Sequence, residues 1–450
     1  MTAEVDGAAR VPGLRPLGEV VEAARRDGEL VVQPRMGFSD PGLMARGLAA
    51  TLGAAARVAG TLTLDSYTRL GDYTGARAAL EAGVPLNGYP LVNHGPDATR
   101  RLVGAAIRQA APHGAAVQVR HGSPLPLDIF TALVAAGLEA TEGGPVSYCM
   151  PYSREPLAAA VDNWKAACDF LAGTAERGGS PHLETFGGCL LGQLCPPGLL
   201  VAVSVLEGVF FRQRGLRDIS LSYAQQTSHE QDVEALAALR SLAAELLPDV
   251  RLHLVLYTYM GVYPRSRGGA YALLADAVET AVAGGAERLV VKTPAEAHRI
   301  PTVEENIETL EFAAAVAKRV RAAGPAAGAP DTGLRAEAAA IVHAVLELHP
   351  DVGQAMVLAF RRGLLDIPYC LHPDNPGRSS GFIDSQGWLC WGDVGGMPIR
   401  GGGGARRRAV TSAQLLEGLS YVQRRYDAAA LPERHRELLG GAAAAERGTR

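Results

Sequence analysis

From residue 30 onward the chain alternates short apolar runs with longer stretches rich in Ala and Leu. The short runs are Leu30–Pro34, Gly60–Leu64, Pro85–Tyr89, Ala116–Val119, Leu138–Thr141, His182–Thr185, Asp218–Ser222, Leu252–Tyr257 and Arg288–Val291. Most are continuously apolar rather than alternating, the pattern of strands buried on both faces. The longer stretches read as helices: Leu43–Val58, Pro96–Ala110, Leu125–Ala136, Leu157–Thr174, Gln231–Leu246 and Tyr271–Ala283, several of them ending at glycine (Gly114, Gly137, Gly284–Gly285). Strands that alternate with helices predict a parallel sheet covered on both sides. Nine strand candidates for eight positions favour a closed (β/α)8 TIM barrel over an open doubly wound sheet, and the short Pro85–Tyr89 is one candidate for the surplus. No G-x-G-x-x-G follows the first strand, which argues against a dinucleotide-binding fold.

The pattern also divides the chain. Residues 1–17 read as disordered or loosely held, and residues 18–323 as the barrel. After the helix Val303–Ala323 the composition shifts to an Ala/Gly/Pro-rich loop, two helices (Leu334–Leu348 and Val352–Gly363) and an irregular segment, Asp366–Pro398. Residues 324–440 therefore read as a smaller C-terminal appendage of helical and irregular structure, with the Gly401–Gly404 run as a linker, and residues 441–450 as a frayed tail.

Composition changes this picture little. Across 450 residues, 48% are hydrophobic and 20% charged, as in an ordinary globular protein with a large core. A formal net charge of -4 gives no reason to expect nucleic acid or a membrane surface as partner, and the basic Arg406–Arg408 run is short. The six cysteines (Cys149, Cys168, Cys189, Cys195, Cys370 and Cys390) form no C-x-x-C pair, so neither a disulfide framework nor a structural zinc site is expected. The first 16 residues lack the apolar core of a signal peptide, and no apolar run reaches the ~20 residues of a membrane span. A cytoplasmic protein is the expectation.

Candidate chemistry follows from the barrel, whose active site belongs at the C-terminal strand ends. Those ends supply Arg35, Arg69, Asn87, Arg120 with His121, Glu142, Tyr148 with Tyr152, Glu184, Tyr223, Tyr257 with Tyr259, and Lys292. Three arginines at one mouth repel one another without anions, and the guanidinium fork suits carboxylates. With a histidine and a carboxylate beside them, they point to a ligand with two carboxylates and one ammonium group, such as an acidic amino acid. Plainer readings stand beside this one. Each arginine could be a surface ion-pair partner, His121 a structural histidine, and the tyrosines caps on the barrel core. Thr293-Pro294-Ala295-Glu296 could be a capping box at a helix start. Glu142 and Glu184 could pair as glycosidase carboxylates, although neutral sugars need no arginines. No cluster has metal-ligand spacing, and no G-x-S-x-G elbow occurs.

At these residues the chain resembles the large (epsilon) subunit of glutamate mutase, also called methylaspartate mutase, from about Leu30 to about Pro398. The resemblance is carried by Gln-Pro-Arg-x-Gly at 33–37, Tyr-Thr-Arg at 67–69, Leu-Asn-Gly-Tyr-Pro at 86–90, Arg-His-Gly at 120–122, Glu-Gly-Gly at 142–144, Ser147-Tyr148, Pro151-Tyr152 and Val-Lys-Thr-Pro-x-Glu-Ala at 291–297. It implies a TIM barrel that binds L-glutamate and works with adenosylcobalamin, giving 3-methylaspartate by a radical carbon-skeleton rearrangement. Carried across, Arg35, Arg69, Arg120 and His121 would hold the substrate carboxylates. Glu142, Tyr148 and Tyr152 would hold the ammonium group and the remaining oxygens, with Glu142 as proton acceptor. Gly37, Asn87, Pro151, Tyr263, Lys292, Glu296 and Ile300 would face the cofactor. The resemblance further implies a small cobalamin-binding (sigma) subunit bearing D-x-H-x-x-G, and a homodimer of this subunit within a heterotetramer. This chain has no D-x-H-x-x-G of its own among its 11 histidines.

Departures from the family pattern accompany the match. The family's usual Arg-Glu-Pro-Phe-Gly is here Leu183-Glu184-Thr185-Phe186-Gly187, Ser222–Gln231 carries Ala224-Gln225-Gln226 where glycines are expected, and Tyr263 replaces a phenylalanine. They keep two alternatives in view: an acidic-amino-acid-binding barrel that acts as scaffold or regulatory subunit, and a cofactor-independent lyase or hydrolase using Glu142 and Glu184.

Overall fold

A computed structural model describes residues 10–111, 114–151, 153–187, 194–324, 328, 330–399, 410–429 and 435. The expectations for Tyr152, the Gly401–Gly404 run and the tail 441–450 fall outside the described residues.

Eight parallel strands form the barrel: β1 (Val31–Gln33), β2 (Gly60–Thr63), β3 (Val117–Arg120), β4 (Ala140–Glu142), β5 (His182–Glu184), β6 (Asp218–Ala224), β7 (Arg251–Tyr257) and β8 (Arg288–Val290). They pair in the order β1-β8-β7-β6-β5-β4-β3-β2. The two remaining edges meet at a parallel bridge between Val32 and Val58, where Val32 N–H donates to the Arg57 carbonyl and Ala59 N–H to the Val32 carbonyl. The structure is thus a (β/α)8 TIM barrel. The surplus ninth run is Pro85–Tyr89, which makes only a single bridge, Tyr89 to Leu64, beyond the end of β2.

A helix at Leu17–Arg26 lies under the N-terminal end of the barrel. Leu17, Val20, Val21 and Ala24 recur at helical spacing and bury against Val31, Ala59, Ala116 and Ala140. Residues 10–17 therefore do not hang loose as expected. Val11 is buried, Leu14 bridges to Ala115, and Arg15 N–H donates to the Ala115 carbonyl, because the apolar barrel end needs a cover.

The middle of the barrel is polar. Arg288, fully buried, donates to Gln33 and Glu184. Gln33 donates in turn to Thr61 and Gln118 (2.9 Å each), and Gln118 to Glu184 (3.0 Å). Branched apolar side chains usually fill this space. Here the strands bring their polar residues inward, and each finds a partner, as buried polar groups must.

After β5 comes a helix, Pro197–Gln213, in which every residue from Pro197 to Phe211 is buried. The appendage explains this: its helices Leu334–Leu346 and Val352–Arg362 pack on it from outside. The segment expected to be irregular contains an antiparallel hairpin, β9 (Ser379–Ile383) and β10 (Leu389–Val394). None of the described helices is long and apolar enough to cross a membrane.

Candidate active site at the C-terminal mouth of the barrel

Arg35, Arg69, Arg120, His121, Glu142, Tyr148 and Asn87 line one open pocket at the C-terminal strand ends, together with Thr63, Leu64, Gly122, Phe186 and Met260. Its volume is about 220 Å³, below the ~300–1,000 Å³ typical of drug-sized ligands. Six of the seven residues expected to hold substrate thus converge.

The deepest part is built by β3 and β4. Arg120 ends β3 and Glu142 ends β4. Both are buried, with Arg120 Nη2 3.9 Å from Glu142 Oε2. The other Glu142 oxygen accepts the His121 backbone N–H at 3.0 Å, and the Tyr148 hydroxyl donates to Glu142 Oε2. Burial raises the Glu142 carboxyl above its ordinary range, with Arg120 and the Tyr148 hydroxyl opposing. For Arg120 burial works against the charge, but the facing Tyr257, Glu142 and Tyr148 oxygens outweigh it and the guanidinium stays protonated. Its guanidinium carbon stands 4.8 Å from the ring centroid of Tyr257, one of the strand-end candidates, and 5.6 Å from that of Phe186, an aromatic platform that was not among the expected site residues. Tyr257 is itself held by a hydrogen bond to Glu184.

Two buried donors in this corner lack partners among the described residues: Arg120 Nη1 and His121 Nε2. His121 Nδ1 accepts the Ser123 backbone N–H at 3.0 Å, so the proton of the neutral ring sits on Nε2. Burial, reinforced by the charges of Arg120 and Arg69, drives the His121 pKa down to about 3, against the Glu142 contact. The corner therefore offers a guanidinium N–H and a neutral imidazole N–H, both without an acceptor among the described residues. An unmet buried donor is costly, and a carboxylate would satisfy both.

Arg69 approaches from the loop after β2. Asp65 caps the short helix Ser66–Leu70 that carries it, and Asn87 Oδ1 accepts Ser66 N–H at 2.9 Å. Gly122, in the left-handed region at φ +70°, leaves room for the Arg69 side chain, which a Cβ there would press at 3.0 Å. No ion pair engages Arg69 among the described residues.

Arg35 enters from the turn after β1 and pairs with Glu296 (3.1 Å), which also lies 3.8 Å from Lys292 Nζ. The expected capping box at 293–296 does not form: Pro294–Ala297 is a 3-10 turn, Thr293 makes no cap, and Glu296 turns to Arg35 instead. A nearby cation outbids a backbone N–H for the carboxylate. Lys292 is buried 4.9 Å from the Tyr263 ring centroid. Burial pulls its pKa down to about 8, with Glu296 opposing and Arg35 adding to the fall. Gly37 is packed so closely that a Cβ would run into the Thr63 carbonyl, and Pro151 is half-buried. Ile300 is exposed.

Other sequence features resolve away from the pocket. Leu183 and Ala224, two of the departures, belong to the apolar core. Glu184 is committed to Arg288, Gln118 and Tyr257, which leaves it no freedom to act as a hydrolytic carboxylate. His182, Asp218 and His253 converge from three strands, a grouping no sequence spacing could reveal. His182 spends its ring nitrogens on Asp218 (2.8 Å) and Ser220 (3.0 Å), and His253 Nε2 accepts from Arg288 at 3.3 Å, so the trio reads as part of the polar barrel interior.

The fold and the mouth define a class: a parallel (β/α)8 barrel with a buried cationic corner at its C-terminal end. Residues 11–409 match the model of the family described as methylaspartate mutase E chain (MutE), and the chain belongs to that family. It is 32% identical over 354 residues to the glutamate mutase epsilon subunit of Escherichia coli O157:H7, spanning 75% of this chain and 72% of the relative. The corresponding figures are 32% over 353 residues for the Desulfitobacterium hafniense subunit (75% and 71%), and 33% over 318 residues for that of Haloarcula marismortui (68% and 64%).

Proposed function

We propose that this chain is the large subunit of an adenosylcobalamin-dependent glutamate mutase that interconverts L-glutamate and 3-methylaspartate together with a small cobalamin-binding subunit. The observation that carries the reading is the pair of unmet donors, Arg120 Nη1 and His121 Nε2, beside the buried carboxylate of Glu142. In this reading Arg120 and neutral His121 bind one substrate carboxylate, while Arg35 and Arg69 take the other. Glu142, supported by Tyr148, receives the ammonium group and, with its raised proton affinity, takes up a proton from it as charge shifts in the substrate. Side chains rooted on strand ends hold the substrate still, which a fragmenting skeleton requires.

The rim fits the cofactor and its carrier. Of the eight exposed large hydrophobic residues among those described, six follow barrel strands: Tyr67, Leu70 and Val84 after β2, Leu125 after β3, Val262 after β7 and Ile300 after β8. In this reading they belong to the face that takes the cofactor and its carrier. Asn87, Gly37, Pro151, Tyr263, Lys292, Glu296 and Ile300 would hold adenosylcobalamin there. When bound, it supplies the radical that removes a hydrogen atom from the substrate.

The test is to mix the purified chain with a cognate small subunit, adenosylcobalamin and L-glutamate and assay 3-methylaspartate. Product is expected, and its absence overturns the reading. Glutamate binding without product would leave a non-catalytic acid-binding barrel, and turnover free of cobalamin a lyase or hydrolase.

A further inference from the structure

A carboxylate outside the pocket is hydrogen-bonded to the backbone behind one wall of it. Glu207 lies within the helix Pro197–Gln213 and is fully buried. Its Oε1 accepts the backbone N–H groups of Val146 (3.0 Å) and Ser147 (2.8 Å), and its Oε2 accepts the Ser147 hydroxyl (2.9 Å). The Phe186 backbone N–H adds a further donor. One side chain thus ties the start of the helix Pro145–Cys149, after β4, to the loop after β5. The donors follow from helix chemistry, since the first N–H groups of a helix have no partner within it.

The chain is shaped around this contact. A Cβ at Gly144 would run into the Glu207 carboxyl, and one at Gly143, at φ +130°, would run into the Tyr148 and Trp164 rings. The two glycines of Glu142-Gly143-Gly144 therefore admit Glu207 on one side and Tyr148 on the other. A five-residue helix has no orientation of its own and takes it from its ends. At the far end the appendage contributes the Cys370 thiol, which donates to the Met150 carbonyl. Burial raises the Glu207 carboxyl to about 7 while its donors pull the other way, so the group stays in place at real cost to its solvation.

We propose that Glu207 is a positioning residue for the substrate site: it docks the turn 144–147 so that Tyr148 delivers its hydroxyl to Glu142. This rests on the reading of the mouth as an acid-binding pocket. A residue that only supports the fold would weaken every function of the mouth, whereas a positioning residue acts through Tyr148 and loses its effect once the Tyr148 hydroxyl is gone.

The experiment compares Glu207→Leu and Glu207→Gln in the wild-type chain and in Tyr148→Phe. Glutamate affinity is measured by calorimetry on the full chain, and KM and kcat in the assembled complex. Glu207→Leu is expected to weaken glutamate by about 10-fold in the wild type, and by no more than about 2-fold in Tyr148→Phe. Glu207→Gln keeps an acceptor for Val146 and Ser147 and is expected to stay within about 3-fold of wild type. Equal losses in both backgrounds overturn the proposal. Failure of the wild-type chain to bind glutamate strikes at the acid-pocket reading instead. The positioning claim then stands or falls on a readout free of ligand: Trp164 emission, whose ring lies 6.4 Å from that of Tyr148. That emission, identified by its loss in Trp164→Phe, should change in Glu207→Leu and not in Glu207→Gln, and no change overturns the proposal. Should Glu207→Leu fail to fold, Gly144→Ala displaces the carboxylate without removing it and should give the same pattern.

Discussion

Arg120 and Glu142 end neighbouring strands of the barrel with their nearest N and O atoms 3.9 Å apart, too far for a good hydrogen bond, although both are buried. Glu142 turns its oxygens to the Tyr148 hydroxyl and the His121 backbone, and Arg120 keeps one N–H arm without a partner among the described residues. The pair is close without being closed, which leaves the guanidinium available to a ligand.

Arg120→Ala should therefore abolish most turnover while sparing the fold. Loss of a buried charged contact to ligand is worth about 2–5 kcal/mol, or roughly 30- to 5,000-fold in kcat/KM. Without Arg120, burial raises the Glu142 carboxyl further. A raised folded-state pKa favours the protonated native form, so the stability deficit of the variant should be small near pH 4.5 and grow as pH rises. Urea melts at several pH values read this sign. Near-normal activity would undo the role given to Arg120.

His121 makes the opposite prediction. Its folded pKa, near 3, lies below the ordinary 6.5. Well above pH 6.5 both states are neutral and its contribution is intact. As pH falls below 6.5 the unfolded chain takes up a proton that the native ring refuses, and stability drops by up to about 1.4 kcal/mol per pH unit until pH 3. His121→Gln should flatten that slope between pH 6 and 4. Wild-type affinity for glutamate should show no inflection from imidazole between pH 5.5 and 8, and titration of the ring near 6.5 by NMR would contradict the neutral donor.

Much of this site is legible in the chain because strand ends of a parallel barrel must converge: Arg35, Arg69, Arg120, His121, Glu142 and Tyr148 are dispersed in sequence and line one pocket. What stayed hidden was hidden for physical reasons. Arg288 and Glu184 are 104 residues apart, and nothing local announces that a strand arginine points inward. The helix Pro197–Gln213 carries no amphipathic period because it is covered all round, and its single acid, Glu207, looks misplaced until Gly144 is seen against it. Glu296 satisfied the local capping pattern, yet Arg35, 261 residues away, took it.

The Arg288–Glu184 pair should be a stability determinant rather than a reactive one. Both side chains are sealed from water. Arg288→Met leaves an uncompensated buried carboxylate and should cost about 3–5 kcal/mol. Glu184 then regains stability by becoming neutral, so Arg288→Met with Glu184→Gln should recover a large part of the loss. Denaturant melts of the single and double variants measure this, and a double variant no better than Arg288→Met would show that the lattice depends on charge rather than on satisfied hydrogen bonds.

The apolar rim and the acid pocket should be separable. Val262 and Ile300 lie exposed after β7 and β8, and neither lines the pocket that holds Arg120 and Glu142. A charge placed on an apolar contact face is penalised on docking and almost free in the unbound chain, since exposed substitutions usually change stability by no more than about 0.5 kcal/mol. Val262→Asp and Ile300→Asp should therefore weaken association with the small cobalamin-binding subunit by at least about 10-fold, while glutamate affinity and melting temperature stay near wild type. Calorimetric titration with the small subunit and, separately, with glutamate reads the two properties independently. If both variants assemble normally, the partner docks away from Val262 and Ile300.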